Sequence, residues 1–243
     1  MTSRDRADRL LVTRGLFESR ARAQAAIVAG RVTADGTVVR KASEVISSTA
    51  VIAAEPEHPY VSRGGVKLAA ALDRFSLSVA DRICLDVGAS TGGFTQVLLE
   101  RGAQCVYAVD VGRDQLHAQL RGHERILSIE QTDIRKLDPE RLPVPVDFVV
   151  VDVSFISLKL VLPHLDRLVG PGATILALIK PQFEADRRDI KKGIVRDAAI
   201  HTAICNDIAA FMTTLGWRTG RLVQSPILGG DGNREFFIEV ARG

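Results

Sequence analysis

Five charged residues in this sequence each close an apolar run. Asp86 follows Ile83-Cys84-Leu85, Asp110 follows Cys105 to Val109, and Asp133 comes shortly after Leu127 to Ile129. Asp152 follows Val146 to Val151, and Lys180 follows Thr174 to Ile179. One charge after a strand is simply where a chain regains water. Five in succession point to a shared cleft, because ligands of open α/β sheets bind beyond the carboxyl ends of the strands. The first run leads into the stretch LDVGASTGGFT, Leu85 to Thr95, after which Phe94, Val97 and Leu98 recur at helical spacing. Strand, glycine turn and helix together make a cradle for a nucleotide-like ligand at a helix N-terminus. The candidate contacts in the cradle are Asp86, Gly88, Ala89, Ser90, Thr91, Gly92, Gly93 and Phe94.

Three ligands compete for such a loop. A triphosphate loop requires a lysine where this chain has Phe94, and without that cation the phosphates lose their main side-chain partner. A dinucleotide loop requires a second glycine where this chain has Ser90. With an acidic residue, Asp86, ahead of Gly88, the stretch resembles the loop of S-adenosylmethionine-dependent methyltransferases. Asp110 then lies about 20 residues further on, the distance at which such folds hydrogen-bond a ribose diol. For Asp133 and Ile134 the resemblance implies a place beside the adenine, with the carboxylate facing its amino group.

The elements that must hold these residues alternate between strand and helix from Ile83 onward, as in a doubly wound parallel sheet. A helix is expected from about Val66, with Lys67 in its first turn, where a cation is disfavoured. Further helices are expected over Ser157 to Val169 and Ala198 to Leu215. Trp217 to Val223 and Glu235 to Val240 read as a closing antiparallel hairpin. Between them the stretch EADRRDIKKGIVRD, 184–197, is dense in charge and reads as a mobile loop, either a nucleic-acid clamp or merely solvated. Ahead of the sheet, Ala53 to Pro59 (AAEPEHP) resists regular structure. The expected division is a small domain over 1–55, a linker over 56–62 and a large domain over 63–243.

The small domain reads as a helix near Arg4 to Thr13, ended by Gly15, and a second helix capped by Ser19 and stopped by Gly30. A hairpin follows, with Val32 and Val38-Val39 about an Asp35-Gly36 turn. Through Lys41 the chain carries nine basic and four acidic residues, whereas the remainder carries 23 and 25. A basic head on a near-neutral body suits a polyanion, and Arg4, Arg6, Arg20, Arg22, Arg31 and Lys41, with Arg63 beyond the linker, are the candidate phosphate contacts.

With 243 residues, 46% hydrophobic and 25% charged, the composition is that of a globular protein. No apolar run reaches the ~18 residues of a membrane span. The N-terminal MTSRDRADRLLVTRG lacks the apolar core of a secretion signal. Cys84, Cys105 and Cys205 are scattered, with no pair at metal-ligand spacing, so no metal and no disulfide is expected and a cytoplasmic location is.

The head resembles the αL-type RNA-binding module named after a small-subunit ribosomal protein. The resemblance rests on Gly15-Leu16, Ser19-Arg20, Ala23, Ile27, Gly30, Val32, Gly36 and Lys41 in order. The larger domain resembles the FtsJ (RrmJ) group of ribose methyltransferases, and the whole chain is similar to the TlyA family. That family combines the two modules as ribosomal RNA 2′-O-methyltransferases and is sometimes called haemolysin. The implied fold is α/β: a Rossmann-like class I methyltransferase domain with a doubly wound, mostly parallel sheet, preceded by the small αL-type domain. The resemblance implies a Lys-Asp-Lys-Glu tetrad at Lys67 (SRGGVKL), Asp152 (VVVDVSF), Lys180 (ALIKPQFE) and Glu235 (GNREFFI), with Glu239 as rival for the last place. It also implies S-adenosyl-L-methionine as cofactor, ribosomal RNA or ribosomal subunits as substrate, cytidine as nucleotide, and no obligate protein partner.

Such a reaction must align methyl, sulfur and ribose oxygen and remove the proton of a weakly acidic hydroxyl. Methylation at a base carbon would call for a cysteine at the cleft, and none closes a strand there. Amine methylation would call for an Asx-Pro-Pro-aromatic run, of which Asp152-Val153-Ser154-Phe155 keeps only the ends. Two further classes stay open at this level: a non-catalytic RNA-binding or ribosome-assembly factor, and a membrane-active haemolysin.

Overall fold

The structure is a computed structural model describing residues 3–242, and it divides into two compact units at Pro59/Tyr60. In the first unit, β1 (Arg4–Arg6), α1 (Ala7–Thr13), α2 (Arg20–Val28), β2 (Val32–Ala34), β3 (Thr37–Val38), β4 (Val45–Ser47) and β5 (Ile52–Ala54) follow in order. The two helices bury Ala7, Leu10, Leu11, Ala23, Ala26 and Ile27 together with Val32, Val39 and Ile46. Ser19 caps α2, its hydroxyl accepting the Arg22 N–H at 3.3 Å. The expected hairpin is present, with Asp35 (φ 48°) and Gly36 (φ 77°) both in the left-handed region its turn requires.

The expected helix from Arg4 is not. Arg4–Arg6 is a strand antiparallel to β4, and α1 starts only at Ala7. The Asp5 carboxylate accepts the Arg6 N–H at 2.7 Å, a local bond that competes with helix entry. The start at Ala7 turns Asp8 inward. Its carboxylate is fully buried and accepts from Arg6 at 3.0 and 3.1 Å, from Arg20 at 3.3 and 2.7 Å, and from Gln24 at 2.8 Å. These partners, the Arg6 hydrogen bond foremost, hold the Asp8 carboxyl far below the usual carboxylate range.

The second unit contains α3 (Arg63–Phe75), β6 (Ile83–Val87), α4 (Gly93–Glu100), β7 (Cys105–Val109), β8 (Ile126–Ile129), β9 (Val146–Val151), β10 (Val169–Ile179), α5 (Pro181–Glu184), α6 (Ala198–Thr214), β11 (Trp217–Gln224) and β12 (Phe236–Arg242). Seven strands form one sheet in the order β11-β12-β10-β9-β6-β7-β8. The five from β10 to β8 are parallel and β12 and β11 close the edge antiparallel. Strand order reverses between β6 and β9, which opens a crevice beyond Val87 and Val151. Both faces of the sheet are covered, so its central strands are largely apolar, with Val149, Val150 and Val151 wholly buried.

Three local expectations are corrected. The segment from Ser157 to Val169 is three 3-10 turns, Leu158–Leu160, Leu162–His164 and Asp166–Leu168. Pro163 lies in its middle, where it removes a helical N–H and its ring clashes with the preceding turn. Helix α3 begins at Arg63, so Lys67 lies beyond the first turn and escapes the unfavourable end of the helix dipole. The stretch 184–197 contains α5's end, a turn at Arg187–Asp189 and a small bridged hairpin at Lys191 and Ile194, with Val195 buried.

Replacing Asp8 by alanine leaves two guanidinium groups without their shared anion, and we expect the first unit to lose roughly 3 kcal/mol. Because the folded carboxyl titrates below its unfolded value, its contribution is present at neutral pH and is lost as pH falls below about 4. Hydrogen exchange on the full chain checks this: protection of 7–54 should drop in Asp8→Ala at pH 7, and wild type and variant should converge in acid.

Candidate active site

The ends of β6 and β9 approach so closely that only glycine fits between them. Gly88 has φ +85°, and a Cβ there would stand 2.6 Å from the carbonyl oxygen of Asp152. The loop is tied down on its other side by the Val109 carbonyl, which accepts from the Gly88 and Ala89 N–H groups at 2.9 and 3.1 Å. Two cavities meet at this point. The larger, about 480 Å³, is lined by Gly88, Ser90, Asp110, Asp133, Ile134 and Asp152 together with Val109, Val111, Arg135, Val153 to Ile156 and others. The smaller, about 210 Å³, is lined by Ser62, Gly64, Lys67, Gly88 to Thr91, Gly93, Phe94, Asp152, Ser154 and Lys180. Gly88, Ser90, Asp152 and Ser154 belong to both walls.

The larger cavity carries oriented carboxylates on an apolar floor. Asp110 accepts the Ser90 N–H at 2.8 Å and the Gly112 N–H at 2.7 Å, which fixes its side chain at the end of β7. Asp133 accepts from the Arg135 guanidinium at 3.0 and 2.6 Å and caps the turn at Ile134–Lys136. The arginine hydrogen bond brings its pKa down to about 2. Its oxygens therefore already have a cationic partner, which the spacing in sequence did not suggest. Phe155, 90% exposed and at φ 63°, stands at the rim with its ring 5.1 Å from that of Phe183.

The smaller cavity is lined by the Lys180–Asp152 pair and by Lys67, whose partner Glu235 is not part of the lining. Lys67 Nζ is 2.6 Å from Glu235 Oε2, with the two side chains 10% and 3% exposed. Lys180 Nζ is 2.6 Å from Asp152 Oδ1 and donates to Ser154 Oγ at 2.8 Å. Each lysine has its own anion. Glu239 lies elsewhere, 3.9 Å from Arg221. Ser62 and Ser154 also line this cavity, though neither follows a strand directly; Ser154's position two residues after Asp152 was the one sequence signal available.

Two of the loop candidates line neither cavity. Gly92 packs against Leu116 and Leu120, and Asp86 is wholly buried beneath the loop. Asp86 Oδ2 accepts the Thr95 hydroxyl at 2.6 Å, while its Oδ1 has no hydrogen-bond partner. Desolvation, aided by the nearby carboxylates of Asp152 and Asp110, pushes its pKa up to about 7 against the opposing Thr95 hydrogen bond. The ring of Phe94, in the place of a phosphate-binding lysine, is buried 6.2 Å from that of Phe237. Cys84 and Cys205 are buried, and burial pushes their thiols up to about 12 and about 11, far from thiolate chemistry.

The basic candidates have varied surroundings. Arg6 and Arg20 spend charge on Asp8, Arg31 is 3.2 Å from Glu55, and Arg4 donates to the Val45 carbonyl at 3.1 Å. Lys41 is exposed and Arg22 half-buried. In the larger unit Arg63 is exposed and donates to the Leu228 carbonyl at 2.6 Å.

A parallel sheet with a glycine loop at its switch point and a lysine–carboxylate cavity beside it defines a class I methyltransferase architecture. Family comparison agrees: the FtsJ-like methyltransferase model matches residues 60–242, and the S4 domain model matches residues 5–52. The chain belongs to the FtsJ-like methyltransferase family and carries an S4 domain ahead of that fold. It is 44% identical to the 16S/23S rRNA (cytidine-2′-O)-methyltransferase TlyA of Mycobacterium tuberculosis, over 98% of this chain and 90% of that protein. It is 45% identical to YqxC of Bacillus subtilis, over 99% of this chain and 87% of the relative. A solved protein of Streptococcus thermophilus that carries a hemolysin label matches with a TM-score of 0.78 at 43% identity, covering 100% of this chain and 90% of that one. Among the described residues no helix is long and apolar enough to cross a membrane.

Because the folded Asp86 carboxyl titrates above its unfolded value, the neutral acid is favoured by folding, and its contribution is lost as pH rises from about 4 to about 7. An Asp86→Asn variant should therefore gain stability relative to wild type across that interval and keep the gain above it. Paired melting curves from pH 4 to 8 check this: a difference in Tm that stays flat would mean that Asp86 is ionised in the fold.

Proposed function

We propose that this protein is an S-adenosylmethionine-dependent ribosomal RNA methyltransferase that methylates the 2′-hydroxyl of a cytidine in ribosomal subunits. The observation that carries the proposal is that Lys180 with its anion Asp152, and Lys67 held from behind the lining by Glu235, line a cavity that shares a wall with the glycine-loop cavity. The glycine loop and Asp110, Asp133 and Ile134 fit the cofactor: a volume of about 480 Å³ is of the size that encloses a small ligand, and the close approach at Gly88 lets a ligand lie on bare backbone. S-adenosylmethionine, when bound there, supplies a methyl group already activated on a sulfonium.

What the chain must add is alignment and the handling of one proton. Lys180 Nζ donates to Ser154 Oγ and stands 2.6 Å from Asp152 Oδ1 as an ion pair, which leaves a position for the ribose hydroxyl. As the 2′-oxygen takes the methyl and the sulfonium leaves as a neutral thioether, the hydroxyl proton passes to Lys180 Nζ, which must meet the hydroxyl with its lone pair and so enter the step as the neutral amine. Asp152 stabilises the ammonium that results, at short range and with little water to screen it. Lys67, held by Glu235 on the same cavity, places positive charge near the oxygen as it loses its proton. Asp86 lies beneath the loop as a support acting through Thr95.

The S4 domain suits the capture of structured RNA, with Arg4 and Lys41 more available than Arg6 and Arg20, which are bound to Asp8. A ribosomal substrate implies a cytoplasmic enzyme. The 44% identity to a cytidine-2′-O-methyltransferase supports the choice of nucleotide and of ribosomal RNA.

Transfer of labelled methyl from S-adenosylmethionine to purified small and large ribosomal subunits tests the proposal. Wild type should label one or both subunits. Lys180→Ala and Asp152→Asn should each lower single-turnover transfer by at least ~10²-fold while cofactor affinity by calorimetry stays within about threefold. Full transfer by Lys180→Ala would remove the lysine from the mechanism.

A further inference from the structure

The charge-dense stretch 184–197 holds five basic and four acidic residues, which by count is close to neutral. The fold gives each acidic residue a local partner. Glu184 is turned inward, accepting the Ser157 hydroxyl at 2.5 Å and the Leu158 N–H at 2.7 Å. Asp197 caps α6 by accepting the Ala199 N–H at 2.8 Å. Asp186 and Asp189 both face Arg188, at 3.2 and 4.0 Å. All four carboxylates are thus committed to local structure. Arg187, Lys191, Lys192 and Arg196 remain exposed, and none of them is in a salt bridge among the described residues.

These cations stand on a constructed turn. Lys191 and Ile194 exchange backbone hydrogen bonds at 2.9 and 3.1 Å, while Lys192 (φ 52°) and Gly193 (φ 78°) both take the left-handed conformation of a tight hairpin. A lysine rarely adopts that conformation, so the surroundings must enforce it. Asn233 does so. It is completely buried, its Nδ2 donates to the Gly193 carbonyl at 2.9 Å, and its Oδ1 accepts the Val195 N–H at 3.1 Å. His201 Nε2 lies 3.0 Å from the Val195 carbonyl and secures the same strand from α6. Two residues beyond Asn233 is Glu235, the partner of Lys67 in the smaller cavity.

We infer that the hairpin bearing Lys191 and Lys192, with Arg187 and Arg196 at its base, is a phosphate grip for the RNA substrate, mounted by Asn233 on the segment that carries Glu235. The inference rests on the RNA-methyltransferase reading above. Cations without internal partners gain most from a polyanion, and phosphate contacts of this kind position a nucleic acid without reading its sequence. The grip is built into the catalytic unit itself, so RNA held there is held in register with the cavity and not only captured by the S4 domain.

The test is the salt dependence of methyl transfer to ribosomal subunits by the full-length enzyme and its K191E/K192E variant. The variant should show kcat/KM lowered about tenfold at low salt, and the slope of log kcat/KM against log salt should be shallower by about 2. Its affinity for S-adenosylmethionine should be unchanged, and K191R/K192R should restore both slope and rate. An unchanged rate and slope in K191E/K192E would overturn the inference and leave the segment a solvated loop. If wild type transfers no methyl to RNA, the functional reading fails by itself. The hairpin is then judged by direct binding of wild type and K191E/K192E to ribosomal RNA, where equal affinities overturn it.

Discussion

The contact between Gly88 and the carbonyl oxygen of Asp152 fixes the distance between the two strands that diverge at the centre of the sheet. A side chain at residue 88 would have to displace backbone, and β9 would then no longer deliver Asp152 beside the glycine loop. The two cavities share a wall only because this approach is so close. In the proposed reaction, a methyl donor along the loop and a hydroxyl beside Lys180 would thereby be brought within reach of each other, the positional advantage such a reaction most needs. Much else in the larger unit serves that approach: Val109 tethers the loop from one side, and the apolar strands β6 and β9 keep their register from the other.

Around this point the protein holds several charges at the edge of water, and each is neutralised differently. Lys67 and Glu235 pair within a nearly dry wall, where removing either partner would strand the other. Lys180 and Asp152 pair at the cavity surface, where the lysine keeps a position free for an incoming group. Asp86, whose hydrogen-bond partners are neutral groups of Thr95, is pushed toward neutrality instead. Asp8, in the S4 domain, takes the opposite course and stays ionised because two arginines and a glutamine surround it. Burial alone does not set the charge state of a carboxylate; the donors that reach it do.

The alternation of strands and helices in the larger unit was legible because parallel strands buried on both faces read as apolar runs, and four of the five charges that close those runs line the cleft, Asp86 being buried within β6 instead. The glycine loop was legible for a similar reason, since its backbone requirements dictate residue types directly. Pairings were less so. Lys67 and Glu235 lie 168 residues apart, and no local pattern couples them; a known family's motif supplied that expectation. Asp8 gives no local signal in the sequence, and only the fold shows it buried among Arg6, Arg20 and Gln24. Pro163 broke a segment whose apolar spacing suited a helix. Asn233 sits in a turn-rich stretch, LGGDGN, where asparagine is unremarkable by type and only its burial reveals that it builds the neighbouring hairpin.

The central claim is that the lysine–carboxylate cavity presents a ribose hydroxyl, and not a base atom, to the methyl donor. Mass spectrometry of nucleosides from ribosomal RNA methylated by the purified enzyme measures this directly. The account predicts 2′-O-methylcytidine as the new nucleoside, with the methyl retained on the sugar when the glycosidic bond is fragmented. A methyl that travels with the cytosine base would contradict it, because neither Lys180 nor its partners Asp152 and Ser154 would then be acting on the hydroxyl for which the site is arranged.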